Sequence, residues 1–142
     1  MNKIIPAIVK PEFLHSELTS KTIKCAMEVH KNFGNGFQEI VYQRCLAIEL
    51  SNMGLDFVRE KEMDLIYKNK NVGTRRVDFL VEGKIMVELK AITKLEDVHL
   101  AQTINYLEAY GLDVGLLISF GERSLNFKRV MNKKLNRTPL KS

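Results

Sequence analysis

Cysteine, histidine and long apolar runs are scarce in this chain of 142 residues. The two cysteines, Cys25 and Cys45, have neither a C-x-x-C partner nor a histidine cluster nearby, which argues against a zinc site and favours reduced, buried thiols. No apolar run is long enough to span a bilayer. Residues 1–17 also lack the basic start and long apolar core of a signal peptide. We therefore expect a cytoplasmic protein without a membrane partner.

The composition is typical of one globular domain. With 142 residues, 45% of them hydrophobic and 27% charged, the chain can bury a single core, and neither a repeat nor a linker divides it. The net charge is +5, and residues 123–142 contain seven basic and no acidic side chains. The basic excess therefore lies at the C-terminus, where it either contacts a phosphate backbone or simply aids solubility.

The stretch VDFLVEGKIMVELKA, residues 77–91, predicts two short strands joined by a turn at Gly83. Alternation places Glu88 and Lys90 on one face of the second strand. Asp78 interrupts the apolar first strand, where a carboxylate is costly unless it has a partner. A two-residue turn would leave Asp78 and Glu88 on opposite faces, whereas a three-residue loop centred on Gly83 would set them opposite each other. We predict the three-residue loop.

Two carboxylates on neighbouring strands, with a lysine two residues beyond the second, suit a hard divalent cation. Mg²⁺ prefers oxygen ligands and usually takes one or two carboxylates, keeping its other positions for water and substrate phosphate. Lys90 would then orient or activate a water molecule and offset phosphate charge. The alternative is a hairpin with a polar outer face, on which Glu88 and Lys90 are simply solvated.

Hydrophobic periodicity predicts the other elements. We expect helices at residues 19–32, 37–53 and 94–110, the first of them capped by Thr19 or Ser20. The second helix is apolar nearly all round, which indicates that it is buried. We expect further strands at residues 57–67, 114–120 and 125–131, and a loop at residues 68–74. This order indicates an α/β fold with a mixed β-sheet flanked by helices.

Three more residues could face the predicted metal site. Glu39 lies in the first turn of the second helix, where the helix dipole favours an acid, so it either caps that helix or points into the site. Arg75 and Arg76 directly precede the acidic strand. They could bind a phosphate as bidentate donors, or pair with Glu60 or Glu62 at the surface.

The third helix carries a polar and aromatic stripe beside its core-facing residues. The stripe consists of His99, Gln102, Tyr106 and Tyr110. A stripe of this kind lies at the boundary of a cleft or of solvent, and the helix alone does not distinguish the two.

These motifs resemble a known family. The D-x9-E-x-K spacing of Asp78, Glu88 and Lys90 resembles the core of the PD-(D/E)XK nuclease superfamily. The run VHKNFGNGFQEIVYQRCLAIEL, with its G-x-x-E-x-x-Y spacing, resembles the signature of the GxxExxY branch, as does HLAQTINYLEAYGLDVGLLISFG. The resemblance implies a PD-(D/E)XK nuclease-like domain at residues 19–131, between an N-terminal extension at residues 1–18 and a basic tail at residues 132–142.

The resemblance implies a metal-dependent nuclease that acts on DNA, with Mg²⁺ or, alternatively, Mn²⁺ as its cofactor. Asp78, Glu88 and the backbone carbonyl of Leu89 would hold one ion. Lys90 would position the attacking water, and Glu39 would bind a second metal or a metal-bound water.

The resemblance also implies roles for residues around the metal. Gln102, in a Q-x-x-x-Y pair with Tyr106, would brace Lys90 or the phosphate, and Tyr106 would approach the substrate strand. Together with Arg75 and Arg76, Tyr106 forms the predicted substrate-binding set. Small nucleases of this type commonly need a homodimer or a partner protein to hold their substrate.

Two other functions stay open from the sequence. The chain could be a nucleic-acid or protein binding module that keeps the fold without turnover. It could also hydrolyse another phosphate ester, because no zinc finger, helix-turn-helix or basic helix that would read bases is present.

Overall fold

The computed structural model describes residues 13–134, so residues 1–12 of the predicted extension and residues 135–142 of the predicted tail lie outside it. The elements are α1 (Ser16–Phe33), α2 (Glu39–Asn52), β1 (Phe57–Tyr67), β2 (Lys70–Val81), β3 (Ile85–Lys90), α3 (Asp97–Tyr110), β4 (Val114–Ser119) and β5 (Asn126–Met131). The strands form one sheet in the order β1-β2-β3-β4-β5. Strands β3 and β4 run parallel and the other neighbours antiparallel. The predicted α/β fold with a mixed sheet flanked by helices is confirmed.

The core lies on both faces of the sheet. Side chains of α1 and α2 pack on one face with Val87 and Leu89, whereas α3 packs on the other with Met86. Because side chains alternate along a strand, Glu88 shares the α3 face with Met86. Strands β3 and β4 are covered on both faces, which explains why they are nearly continuous apolar runs.

The hairpin between β2 and β3 has the predicted register. Val81 pairs with Ile85, so the loop contains three residues centred on Gly83. Gly83 has a φ of 66°, a left-handed conformation that glycine adopts without strain. The last pair is Phe79 with Val87, and Asp78 and Glu88 follow it on the two strands, so the three-residue loop is confirmed and the two acids lie next to the end of the ladder.

The helices differ from their predicted extents and burial. Helix α1 begins at Ser16 rather than after Thr19 or Ser20. Helix α2 buries one face only, and its Ile48 side chain is 60% exposed, so the prediction of an all-round buried helix is wrong. No helix within residues 13–134 is long and apolar enough to cross a membrane.

Strand β2 and helix α3 begin at other residues than predicted, because local hydrogen bonds and dihedral angles decide where these elements start. The predicted loop at residues 68–74 is wrong, because Lys68 and Asn69 turn the chain with positive φ and β2 already begins at Lys70. Helix α3 begins at Asp97 and not near residue 94. The Glu96 N–H donates to His99 Nδ1 at 2.9 Å, which ties off the first turn there.

The chain that leaves β3 lies against the end of β4. The Ser119 hydroxyl donates to the Ile92 carbonyl at 3.0 Å. Gly121 lies so close to the same carbonyl that an added Cβ would be 2.2 Å from the Ile92 oxygen. The contact fixes the backbone immediately after Lys90.

We expect Gly121→Ala to lower the free energy of unfolding by about 3 kcal/mol or more, because the methyl group overlaps a backbone oxygen that cannot move without breaking the β3–β4 contact. Urea denaturation measures the loss. Gly73→Ala is the matched control, since its Cβ would meet Leu65 Cδ1 at an ordinary 3.7 Å. Equal stability of the two variants would contradict this account.

Candidate active site

Strands β2 and β3 separate where the candidate site begins. Their ladder ends at Phe79 and Val87, and beyond it the Leu89 N–H donates to Asp78 Oδ2 at 2.7 Å. The N–H and C=O of one strand residue point to the same edge, so the Leu89 carbonyl also faces this gap. The Lys90 carbonyl points the other way and accepts from the Phe120 N–H at 2.8 Å. The gap therefore presents a carboxylate and a backbone carbonyl side by side.

Asp78 is held at both carboxylate oxygens. Gln43 Nε2 donates to Oδ1 at 3.3 Å, while Leu89 N–H occupies Oδ2. Gln43 Oε1 in turn accepts from Arg59 at 2.7 and 3.3 Å. Burial raises the pKa of Asp78, and the Leu89 N–H and the Arg75 charge oppose that rise. The carboxylate is thus oriented by neighbours on α2 and β3.

Glu88 is a buried acid with one oxygen left open. Its residue is 3% exposed, and Oε1 accepts from Arg75 Nη2 at 3.2 Å. Within residues 13–134, no donor meets hydrogen-bond geometry at the buried Oε2 atom, although the backbone N–H of Asp78 is near enough to the carboxylate to lower the pKa of Glu88. Burial, followed by the charge of Asp78, raises the pKa of Glu88 to about 7 although Arg75 and Lys90 oppose the shift. Buried polar atoms normally have a partner, so this open oxygen is a candidate position for a bound cation or water.

Glu39, the first residue of α2, reaches the same place. Its carboxylate lies near the Ala91 N–H, which lowers the pKa of Glu39. Desolvation and then the charge of Asp78 raise the pKa of Glu39, whereas Lys90 lowers it. These interactions favour the prediction that Glu39 points into the site over a capping role alone.

Lys90 stands among the three acids. Its half-buried side chain lies at the end of β3, and its charge opposes the raised pKa of each of Glu39, Asp78 and Glu88. The structure therefore brings together four charged residues from α2, β2 and β3. Because Glu88 is buried, it is not simply solvated, which contradicts the alternative of a polar outer face for this residue.

Arg75 links the carboxylates to α3. Its guanidinium lies 4.7 Å from the centre of the Tyr106 ring while it pairs with Glu88. Tyr106 stacks on Tyr110 at 6.3 Å, and the Tyr110 hydroxyl donates to the Met63 carbonyl at 3.3 Å. This face of α3 therefore borders the site and not bulk solvent alone.

Two predicted residues lie outside this network. Arg76 is exposed and pairs with Glu60 and Glu62 at 3.6 and 3.7 Å, which is the surface pairing considered as the alternative. Gln102 is exposed and, in the part of the chain that the structure describes, its side chain makes no hydrogen bond to Lys90 or to any other residue. Its bracing of Lys90 has no contact to support it.

The G-x-x-E-x-x-Y spacing has a structural explanation. Gly36 turns the chain with a φ of 109°, which favours glycine. Tyr42 is fully buried, its hydroxyl donates to the Gly34 carbonyl at 2.6 Å, and its ring stacks on Phe120 at 4.6 Å. Tyr42 thus fixes the loop before α2 and, through it, the position of Glu39.

Gln43 and Arg59 are site neighbours that the sequence analysis missed. Gln43 is 6% exposed and contacts Asp78, and Arg59 contacts Gln43. Sequence spacing could have predicted the position of Gln43, because Glu39 and Gln43 are four residues apart and share one face of α2. The Arg59 contact depends on how β1 folds beside α2, which spacing does not show.

The donor set fits a hard cation that keeps part of its own hydration. Among residues 13–134, no group of three or more His, Cys, Asp or Glu side chains forms a metal cage. Instead, Asp78 and the open Oε2 of Glu88 stand beside the outward-facing carbonyl of Leu89. Oxygen donors in this small number suit Mg²⁺ or Mn²⁺ and not a thiolate- or imidazole-seeking metal.

One family model matches most of this chain. A family model described as the PD-(D/E)XK nuclease superfamily matches residues 16–130. A comparison with the curated proteins found no match. Among solved structures, the crystal structure of SSO0001 is similar at 18% identity and a TM-score of 0.46, over 65% of this chain. The matched region spans 48% of the length of that protein.

We expect Glu88→Gln to stabilise the metal-free protein at pH 8 by an amount on the order of 3 kcal/mol. The folded-state pKa of Glu88, about 7, lies above its ordinary 4.5, so the wild type loses stability as pH rises between these values. Below pH 4.5 the carboxyl is protonated in both states and the difference should vanish. Thermal and urea unfolding in a chelator, across this pH range, measure it.

The control for this effect is Glu62→Gln. Glu62 pairs with Arg76, but its side chain is 65% exposed, so its stability difference from wild type should change little with pH. A Glu88→Gln variant that is less stable than wild type at pH 8 would show that the Arg75 pair outweighs the burial of the charge.

Proposed function

Because the chain belongs to the PD-(D/E)XK nuclease superfamily, we propose that it is a nuclease that hydrolyses phosphodiester bonds of DNA with Mg²⁺, or with Mn²⁺ in its place. One observation carries the proposal. Glu88 Oε2 is buried without a partner beside Asp78, at an edge where the Leu89 carbonyl also faces outward. Oxygen atoms placed in this way cost the fold stability when they are unpaired, whereas they are suitable ligands for a cation.

Asp78, Glu88 and the Leu89 carbonyl would hold the cation. When bound, it supplies Lewis-acid polarisation and neutralises phosphoryl charge. The Gln43 and Leu89 hydrogen bonds keep Asp78 turned toward the gap before any ligand arrives. Before a cation binds, Arg75 offsets the negative charge of Glu88 through their ion pair. Its long side chain can then move to a substrate phosphate.

Lys90 and Glu39 flank the gap from β3 and α2. The Lys90 ammonium would donate a hydrogen bond to the attacking water or to a phosphate oxygen and so offset developing negative charge. Glu39, whose pKa is raised, would accept a proton from that water or help to hold a second cation.

Substrate would approach along α3. Tyr106 supports the Arg75 guanidinium at the edge of the site, and the exposed Gln102 is free to meet a phosphate from the same helix. Arg76 would have to leave Glu60 and Glu62 to contact the backbone, an exchange that costs little at an exposed position. A homodimer or a partner protein would extend this small binding surface.

The spacing of Gly36, Glu39 and Tyr42 supports a finer assignment to the GxxExxY branch. Tyr42 anchors the turn that contains Gly36 and so presents Glu39 to the site. We place this activity in the cytoplasm.

A second candidate function is a nucleic-acid binding module without turnover. The pair between Arg75 and Glu88 favours it, because the chain supplies its own counter-charge to the site. A binder should hold DNA equally well with and without Mg²⁺, whereas a nuclease needs the metal for turnover.

We expect Lys90→Met to reduce cleavage roughly 100-fold or more, because it removes a positive charge that acts on all three acids. The variant should still bind Mn²⁺ in calorimetry, since Lys90 is not a ligand. Labelled single- and double-stranded DNA, with Mg²⁺, Mn²⁺ or a chelator, provide the cleavage assay. Asp78→Asn should lose both cleavage and Mn²⁺ binding.

Lys84→Met is the matched control, because Lys84 is an exposed lysine of the β2–β3 loop. It should cleave like the wild type. Undiminished cleavage by Lys90→Met would refute the role of Lys90. DNA binding that ignores metal, with no cleavage of either substrate, would favour the binding module.

A further inference from the structure

Gln43 is a buried polar side chain with two charged partners. It lies on α2 with 6% of its residue exposed, and its amide connects Arg59 on β1 with Asp78 on β2. A buried amide costs stability unless its donor and acceptor are both used. Here the amide oxygen accepts twice from Arg59 and the NH₂ group donates once to Asp78, so the residue joins a surface cation to a site acid.

The direction of the Gln43 amide follows from the chemistry of Arg59. A guanidinium only donates, so the atom facing Arg59 must be the amide oxygen. Arg59 donates to that oxygen through Nη2 at 2.7 Å and Nε at 3.3 Å. The NH₂ group must then point to Asp78, where it donates to Oδ1 at 3.3 Å. The charge of Arg59 also polarises the amide and makes it a better donor.

Asp78 is consequently restrained about its side-chain torsions. Gln43 holds Oδ1 and the Leu89 N–H holds Oδ2 at 2.7 Å, from two different elements. Each carboxylate oxygen can accept more than one bond, so both restraints leave lone pairs directed into the gap. Without Gln43, a single hydrogen bond would act as a hinge about which the carboxylate turns.

We propose that Gln43 is a positioning residue that orients the Asp78 carboxylate toward the cation, and that Arg59 sets the direction of its amide. The proposal rests on the proposed function for the identity of the cation. The orientation of Asp78, however, can be measured in the metal-free protein. Partners that orient a ligand typically change metal affinity by about 10- to 100-fold.

The test uses Gln43→Leu and Arg59→Met in the full chain. In the metal-free protein, the Leu89 amide reports on its bond to Asp78, so its NMR resonance should shift and its hydrogen exchange should quicken in both variants. Calorimetry with Mn²⁺ should show affinity lowered about 10- to 100-fold in Gln43→Leu. The loss of Mn²⁺ affinity should be smaller in Arg59→Met, because the Gln43 side chain is still present but its amide group can rotate away from Asp78.

Arg44→Met is the matched control, because Arg44 is the exposed neighbour of Gln43 on α2 and carries the same charge as Arg59. It should leave the Leu89 amide and the Mn²⁺ affinity as in the wild type. Arg59→Lys, which keeps a donor for the Gln43 oxygen, should restore part of what Arg59→Met loses. Melting temperatures of all variants separate positioning from loss of fold.

An unchanged Leu89 amide together with wild-type Mn²⁺ affinity in Gln43→Leu would overturn the proposal. If Gln43→Leu does not fold, the same result in Arg59→Met overturns the role of the pair, since Arg59 is exposed and its loss leaves the core intact. A wild type that binds no Mn²⁺, even with DNA present, would refute the proposed function instead. The Leu89 amide would still decide whether Gln43 orients Asp78.

Discussion

Two acids that face each other across neighbouring strands dominate this fold. Asp78 and Glu88 lie just beyond the last pair of the hairpin, and burial makes the charge of each costly. Arg75 and Lys90 offset part of that cost, and the Leu89 N–H offsets more. Apolar residues at these positions would stabilise the fold more simply, so the two acids are more easily explained by chemistry at this site than by stability.

The rest of the sheet makes room for these acids. The ladder between β2 and β3 stops at Phe79, so one backbone N–H and one carbonyl of β3 are released to the site. Strand β4 compensates by pairing with β3 along its whole length, through Lys90 and Ser119 at the end. The central strand is therefore paired along its whole length on one edge, while the end of its other edge is left unpaired with β2.

The features that depend on residues close together in the sequence could be predicted from it. Gly83 and strand alternation were sufficient for the register that joins Asp78 to Glu88, and the strand at Phe57–Tyr67 was found from its residues. Contacts between distant elements were not predictable in this way. The choice of Glu88 as the partner of Arg75, and the approach of Arg59 to Gln43, arise from tertiary packing. The start of β2 was missed because a polar run was interpreted as a loop, although its turn uses two residues only.

The parallel pairing of β3 with β4 affects how the nascent chain folds during translation. A ribosome that has released only the residues before Val114 has already released every side chain of the site, yet β3 still has one bare edge. Domains generally fold as units during synthesis, so β3 is held in place only after α3 has crossed over and β4 has been added. A chain that ends before β4 therefore contains the acids of the site without the strand that holds β3 in place.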